Sequence, residues 1–410
     1  MEVGRIVVVG GGLAAAKAVE TLRAEGYEGG LAVVTREAHA PYERPPLSKD
    51  YLRGEAGRDA VFPLDAAWYA EHDVELLTGT TVTALDVAAR TVALDDGRTL
   101  PYEKLLMATG SQPRRLPVPG ADQEGVRYLR TLDDSDRLVA SFEAARRDGA
   151  GRLAIVGDGW IGLEVAASAR SAGLEVSVVG QGVHPLERVL GPQMGELYGQ
   201  VHAGHGVHLH RRAQAVAITG EGRATGVALA DGTHVEADLV LVAVGAAPDV
   251  GLAQAAGLAL DSATGGVVAS ATLQTTDPDV FVAGDVASVP YPRYGRALRV
   301  EHWATALSQG PHAARSMLGA TEPYAELPYF FSDQYDVGME YLGFVAHPEA
   351  VDEVVVSGSV ADRELVAFWV HDGRVEAGMA VNVWDRMEDV KALIHRGEPV
   401  DRAELERFVG

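Results

Sequence analysis

The sequence predicts an α/β protein in three parts. Two are doubly wound, Rossmann-like domains, the second inserted in the first. The last is a smaller α+β domain at the C-terminus. Three observations carry this expectation. Short Val/Ile/Leu runs alternate with Ala-rich amphipathic stretches, the pattern of a parallel sheet with covering helices. Two strand-like runs end in glycine turns that open helical patterns. Two further apolar runs, each ending in small residues and a proline, bracket the second of these units.

The first turn is Gly10-Gly11-Gly12-Leu13-Ala14-Ala15, after Arg5-Ile6-Val7-Val8-Val9. The second is Gly157-Asp158-Gly159-Trp160-Ile161-Gly162, after Arg152-Leu153-Ala154-Ile155-Val156. Strands are expected at Leu31–Val34, Ala154–Val156, Val176–Val179, Leu239–Val244 and Val280–Ala283. Helices are expected at Ala14–Gly26, Ile161–Gly173 and Thr305–Leu318. The bracketing runs are Leu105–Gly110, followed by Pro113, and Leu239–Gly245, followed by Pro248. They set the domains as 1–112 with 246–320, then 113–245, then 321–410. The last reads as strands at Val354–Val356, Leu365–Val370 and Arg374–Val381, closed by helices near Met387–His395 and Asp401–Phe408.

Composition narrows the function. The chain has 410 residues, 47% hydrophobic and 23% charged, an ordinary soluble balance. No apolar run reaches the roughly 18 residues of a membrane helix. The N-terminus shows no basic stretch leading into an apolar core, so a cytoplasmic protein is expected. A net charge of −23 argues against nucleic acid and anionic membrane surfaces as partners. With no cysteine, the chain has no disulfide, no thiolate-held cluster and no catalytic dithiol. The 13 histidines show no convincing metal-ligand spacing; His202, His205, His208 and His210 merely lie close together. No metal site is expected.

The glycine turns carry the chemistry. Gly10, Gly12 and Ala15, and likewise Gly157, Gly159 and Gly162, let the backbone turn tightly and approach a pyrophosphate. The following helix then offers amide donors and a positive dipole end. Two such turns suggest two dinucleotides. A ribose partner belongs at the end of each unit's second strand. In the first unit Glu37 can accept from ribose hydroxyls and Arg36 can cover the adenine. In the second, Gly180-Gln181-Gly182 presents no carboxylate, while His184 and Arg188 lie nearby in sequence. NADH and NADPH both stay open.

The segment Pro41-Tyr42-Glu43-Arg44-Pro45-Pro46-Leu47-Ser48-Lys49 resembles one in FAD-dependent NAD(P)H:ferredoxin reductases. Ala108-Thr109-Gly110, Gly245-Ala246-Ala247-Pro248, Val282-Ala283-Gly284-Asp285-Val286 and Ser332-Asp333-Gln334-Tyr335-Asp336 resemble further landmarks in the same order. The resemblance covers nearly the whole chain. It implies FAD in the first domain, NADH or NADPH in the inserted one, and a third domain beside the flavin. The partner it implies is an iron-sulfur ferredoxin, 2Fe-2S or similar, served by a monomer or homodimer.

Residue by residue, the resemblance implies FAD contacts from Gly10, Gly12, Leu13, Ala14, Ala15, Arg36, Glu37, Arg44, Pro45, Lys49, Val82, Ala108, Thr109, Gly110, Arg130, Gly284, Asp285 and Trp303. The second glycine turn, the strand end beyond it and the resemblance together point to nicotinamide-nucleotide contacts from Gly157, Gly159, Trp160, Ile161, Gly162, Glu164, Gly180, Gln181, His184, Arg188 and Gly245. Lys49, Glu164 and Trp303 are its catalytic candidates. Lys49 brings positive charge to the flavin, Glu164 pairs with it, and Trp303 limits solvent access. Three residues depart from the pattern: Gly180 replaces a common glutamate, Phe331 a tryptophan, and Ala269 an aspartate. The implied activity is hydride transfer from NAD(P)H followed by single-electron delivery. A reductase of quinone or monodehydroascorbate, and an NADH-responsive flavoprotein like apoptosis-inducing factor, are the alternatives. Arg293, Arg296 and Arg299 cluster before Trp303 as an expected docking patch for an acidic ferredoxin.

Overall fold

The computed structural model describes residues 4–148 and 151–409. By internal contacts the chain divides into two compact units. One comprises 1–45, 57–112 and 246–328; the other comprises 46–56, 113–245 and 329–410.

The first unit is built on a five-stranded parallel sheet. Its order is Val280–Val282, Lys104–Met107, Ile6–Val9, Leu31–Val34, Val74–Leu77. Residues 6–8 and 105–107, on the central strands, are fully buried, which is why those strands are uninterrupted apolar runs rather than alternating ones. Register places Val8 beside Val33 and Leu106. The helix Leu13–Ala24 packs on the helix Trp303–Met317. Their approach is close: a Cβ on Gly310 would lie 2.4 Å from the Ala14 carbonyl oxygen. An antiparallel meander, Val82–Asp86, Thr91–Leu94 and Thr99–Pro101, completes the unit with a small sheet that includes Ala287–Tyr291.

The second unit repeats the plan. Its parallel sheet runs His208–His210, Glu175–Val179, Arg152–Val156, Leu239–Val242, Val126–Arg127. A three-stranded antiparallel meander covers 215–236. The C-terminal part is a five-stranded antiparallel sheet ordered Tyr329–Gln334, Val337–Gly343, Arg374–Val381, Glu364–His371, Glu353–Ser359. Helices Met387–Arg396 and Arg402–Glu406 follow it. One apolar core joins this sheet to the helices of its own unit. Trp369, fully buried, donates its indole N–H to the Leu190 carbonyl at 3.2 Å.

The expected strands and helices stand within a few residues of their sequence-based bounds. The strands Tyr329–Gln334 and Val337–Gly343 were not expected from periodicity. In the first, the inward-facing residues toward its end are Ser332 and Gln334, both buried, so no apolar alternation marks it. Among the described residues no helix is long and apolar enough to cross a membrane.

Candidate functional site

Each glycine turn owes its shape to backbone crowding. Gly10 has φ +142°, and a Cβ there would lie 2.1 Å from the Ala108 carbonyl oxygen. Gly157 has φ +116°, and its Cβ would lie 2.2 Å from the Ala243 carbonyl oxygen. Only glycine tolerates that combination. Gly12 and Gly159 are different. Each is the N-cap of its helix, in an extended conformation, with open space beyond it.

Neither helix has a capping side chain or an acidic residue in its first turn. Both therefore keep a positive N-terminal end with unclaimed room in front of it. That is a cradle a Cβ would begin to fill, and it fits a pyrophosphate. Ile161, at the start of the second helix, is 45% exposed although its neighbours Gly162 to Ala169 are buried.

In the first unit the expected residues gather at the C-terminal ends of the strands. Glu37 follows Leu31–Val34 and accepts from Arg44 Nη2 at 2.8 Å and from the Tyr42 hydroxyl. The Arg44 guanidinium lies 4.8 Å from the centre of the Tyr42 ring and donates to its hydroxyl at 2.9 Å. Arg36 pairs with Asp249 at 2.9 Å, and Gln112 shares the same carboxylate oxygen at 2.8 Å. Thr109 donates to the Asp249 carbonyl at 2.8 Å. Ala108 continues the strand through its N–H to Val9, and Gly110 turns the chain at φ +69°.

Gly284 has φ +79°, and its N–H is bound by the buried Gln309 side chain at 2.9 Å. The adjacent Asp285 carboxylate accepts from Ser111 at 2.8 Å. Desolvation lowers the His302 imidazole to about 4, against the pull of Asp285. Burial raises the Glu43 carboxyl, opposed by the indole N–H of Trp303, which faces it. Val82 starts the meander, paired with Leu94.

In the second unit, Lys49 Nζ lies 3.1 Å from Glu164 Oε1, both side chains being almost fully buried. Ser48 Oγ donates to Glu164 Oε2 at 2.5 Å, and Ser332 Oγ to Oε1 at 2.7 Å. Gln334 Nε2 donates to Ser332 Oγ at 3.0 Å, and His202 Nε2 lies 2.8 Å from Gln334 Oε1. Lys49 also sits 5.4 Å from the centre of the Phe331 ring. The sequence pointed to Lys49 and Glu164. It gave no role to Ser48, Ser332, Gln334 or His202 as partners, because their contacts join separate elements. Arg130 stands before the helix Leu132–Asp148, its N–H held by Asp134 at 3.1 Å.

The second ribose end differs from its sequence reading. His184 does not reach outward: its Nδ1 pairs with Glu196 at 2.6 Å. Arg188 donates to Gln181 at 3.3 Å. A carboxylate is present after all, that of Asp158, brought from the glycine turn to the end of Glu175–Val179. Gly245 turns the chain at φ +98° after the strand Leu239–Val242.

The expected arginine patch also needs correction. Arg299 turns inward, only 13% exposed, donating to the carbonyls of Thr264 at 2.9 Å and Asp285 at 3.1 Å and pairing with Glu301. Arg296 is exposed. The carbonyls of Thr264 and Asp285 and the Glu301 carboxylate claim the Arg299 guanidinium before any partner can.

A protein-family profile described as pyridine nucleotide-disulphide oxidoreductase matches residues 4–310, and one described as reductase C-terminal matches residues 329–407. The chain is 37% identical to the anthranilate 1,2-dioxygenase system ferredoxin–NAD(+) reductase component of Burkholderia cepacia, covering 99% of this chain and 97% of that one. It is 35% identical to putidaredoxin reductase of Pseudomonas putida, covering 97% and 93%. Among solved structures, putidaredoxin reductase in its covalent complex with putidaredoxin matches with a TM-score of 0.92 at 34% identity, covering 98% of this chain and 95% of that chain. The two matched profiles together span nearly the whole chain, and this chain is a member of the pyridine nucleotide-disulphide oxidoreductase family, in the ferredoxin reductase branch that carries the reductase C-terminal domain.

Proposed function

We propose that this protein is an FAD-dependent oxidoreductase that takes hydride from NADH and passes single electrons to an iron-sulfur ferredoxin serving a monooxygenase or dioxygenase. The observation that carries this reading is the pair of uncapped helix N-termini behind glycine turns, one in each unit. The ferredoxin reductase relatives support the choice of donor and acceptor. FAD belongs to 1–112 with 246–320, the nicotinamide nucleotide to 113–245, and the C-terminal domain to 321–410. We also place the protein in the cytoplasm, where NADH is generated.

The chemistry supplied by bound FAD is acceptance of a two-electron hydride and release of electrons singly. The chain's own residues position and shield. Gly10, Gly12 and the first helix N-terminus bind the FAD pyrophosphate; Glu37, fixed by Arg44 and Tyr42, reads its ribose. Asp285, fixed by Ser111, binds the ribityl chain. Gly157, Gly159 and the second helix bind the nicotinamide dinucleotide. Lys49 supplies positive charge toward the flavin, and Glu164, held by two serine hydroxyls, keeps that ammonium in one place. Trp303 excludes water. The chain contains no cysteine, so no dithiol relays the electrons.

Anaerobic titration of the purified yellow protein with NADH, followed by mixing with a 2Fe-2S ferredoxin, tests the reading. Stoichiometric bleaching and rapid ferredoxin reduction are expected. A colourless protein that binds no added FAD would overturn it. Fast turnover with quinone or monodehydroascorbate and none with ferredoxin would replace it by a small-molecule reductase. Slow turnover with a change of assembly on NADH addition would replace it by a nucleotide-responsive flavoprotein.

A further inference from the structure

The strand Glu175–Val179 ends where an acidic residue normally reads the adenosine ribose, about 20 residues beyond the glycine turn. Here that place is Gly180, whose backbone is fixed on both sides. Its N–H donates to the His210 carbonyl at 3.0 Å, and its carbonyl accepts from Ala213 at 2.8 Å. A Cβ on Gly180 would lie 2.0 Å from Asp158 Oδ2, 2.4 Å from its Cγ and 2.9 Å from its Cβ. The Asp158 carboxylate therefore fills the volume that a side chain at 180 would need. The loop beyond also closes on this residue, with the Leu186 N–H donating to the Asp158 carbonyl at 3.1 Å.

Glycine at 180 and aspartate at 158 are thus a matched pair. The acidic reader has not been lost; it enters from the turn after the first strand instead of the end of the second. We infer that Asp158 is the residue that makes the second dinucleotide site prefer NADH over NADPH. This rests on the reading of that turn as the nicotinamide-nucleotide site.

The chemistry gives the preference a direction. The 2′ and 3′ hydroxyls of NADH can donate to a carboxylate at this position. A 2′-phosphate has only acceptor oxygens and about −1.5 to −2 charges near neutrality, so the same carboxylate repels it. Glu187, whose carboxylate binds the N–H groups of Val183 and His184, adds negative charge to the same loop. The opposing group is Arg188, which donates to Gln181. Once the charge at 158 is removed, that guanidinium becomes a ready phosphate partner. Selectivity here comes from repulsion of the wrong ligand as much as attraction of the right one.

The test uses the flavin-loaded protein and measures dissociation constants for NAD+ and NADP+ by calorimetry, with kcat/KM for NADH and NADPH beside them. Wild type is expected to favour NAD+ at least tenfold. Asp158→Asn keeps the shape and removes the charge; it should tighten NADP+ at least tenfold and weaken NAD+ several-fold. Adding Arg188→Ala to it should abolish the gain for NADP+. The double variant Asp158→Gly with Gly180→Glu returns the carboxylate to the strand end and should restore NAD+ preference. If Asp158→Asn leaves the ratio of the two dissociation constants within twofold of wild type, the inference is overturned. A wild type that binds NADH's oxidised form no better than NADP+ overturns it too. Binding of neither nucleotide by the wild type overturns the reading of the turn itself, and the inference with it.

Discussion

Gly10 and Gly12 lie two residues apart and do opposite things. Gly10 is required by the protein, since φ +142° and the Ala108 carbonyl leave no place for a methyl group. Gly12 has φ −107° and nothing within 4 Å of its Cβ position, so the protein alone does not require it. Gly10→Ala should therefore destabilise the apoprotein by about 1–3 kcal/mol or more, seen as a lower melting temperature without FAD. Gly12→Ala should cost the apoprotein at most about 1 kcal/mol, its loss as an N-cap, yet weaken FAD binding tenfold or more. Equal melting losses in the two variants would contradict this division.

Glu164 and Lys49 make a second residue-scale contrast. Without Lys49, the carboxylate keeps the hydroxyls of Ser48 and Ser332. Without Glu164, a buried ammonium loses the carboxylate 3.1 Å from it and keeps the attraction of Asp333, while the two hydroxyls lose their acceptor. Breaking a buried pair from one side costs about 3–5 kcal/mol when the remaining charge is left uncompensated. Denaturant unfolding should show Glu164→Ala costing more than Lys49→Met, because removing the carboxylate strips a partner from the ammonium and from both hydroxyls at once. Both should slow flavin reduction by NADH.

At the scale of elements, hydrogen bonds tie three segments of the second unit together. The helix Glu187–Gly204 contributes His202, the strand Tyr329–Gln334 contributes Gln334 and Ser332, and the helix Trp160–Ser171 contributes Glu164. Gln334 donates onward to Ser332, so its oxygen accepts from His202 Nε2–H. His202 Nδ1 is buried with no hydrogen-bond partner among the described residues. Burial lowers this imidazole to about 4 from its ordinary 6.5. Below pH 6.5 the unfolded chain takes up a proton at this site that the folded chain refuses until about pH 4. Stability therefore rises with pH across that window and falls on acidification, by about 3 kcal/mol at most for this group. His202→Gln should flatten the slope of unfolding free energy between pH 6.5 and 4. His302 contributes a slope of the same sign, so the flattening is partial.

This strand also explains what sequence periodicity misses. Its buried positions near the C-terminal end carry Ser332 and Gln334, and distant partners make those polar groups stable there: Glu164 accepts from Ser332, and His202 donates to Gln334. The apolar runs Ile6–Val9 and Leu239–Val242, by contrast, are buried on both faces and were legible as written.

At the scale of the whole molecule, the net charge of −23 bears on the proposed transfer to a ferredoxin, which it would repel if that partner is acidic. Association then depends on local positive charge and weakens with salt. Arg296 is exposed and suited to that task, whereas Arg299 is committed to the carbonyls of Thr264 and Asp285. Arg296→Glu should raise the KM for ferredoxin several-fold at low salt, with the difference shrinking as salt rises and ferricyanide reduction unchanged. Arg299→Glu should instead lower the melting temperature and FAD retention. Steady-state assays across ionic strength, with melting curves, check both.

The sequence by itself determined the parts that local chain geometry controls. A glycine at positive φ, an apolar run long enough for one strand, and a helix opening after a turn are all written within a dozen residues. The order of the landmarks from Arg44 to Asp336 was likewise enough to indicate the family. Only the tertiary structure decided which side chains meet. Ser48 and Ser332 reach Glu164 across separations of 116 and 168 residues. The carboxylate missing from position 180 arrives from position 158 because two parallel strands, Arg152–Val156 and Glu175–Val179, end side by side. Contacts of this kind depend on register and packing between distant segments, and no local spacing records them.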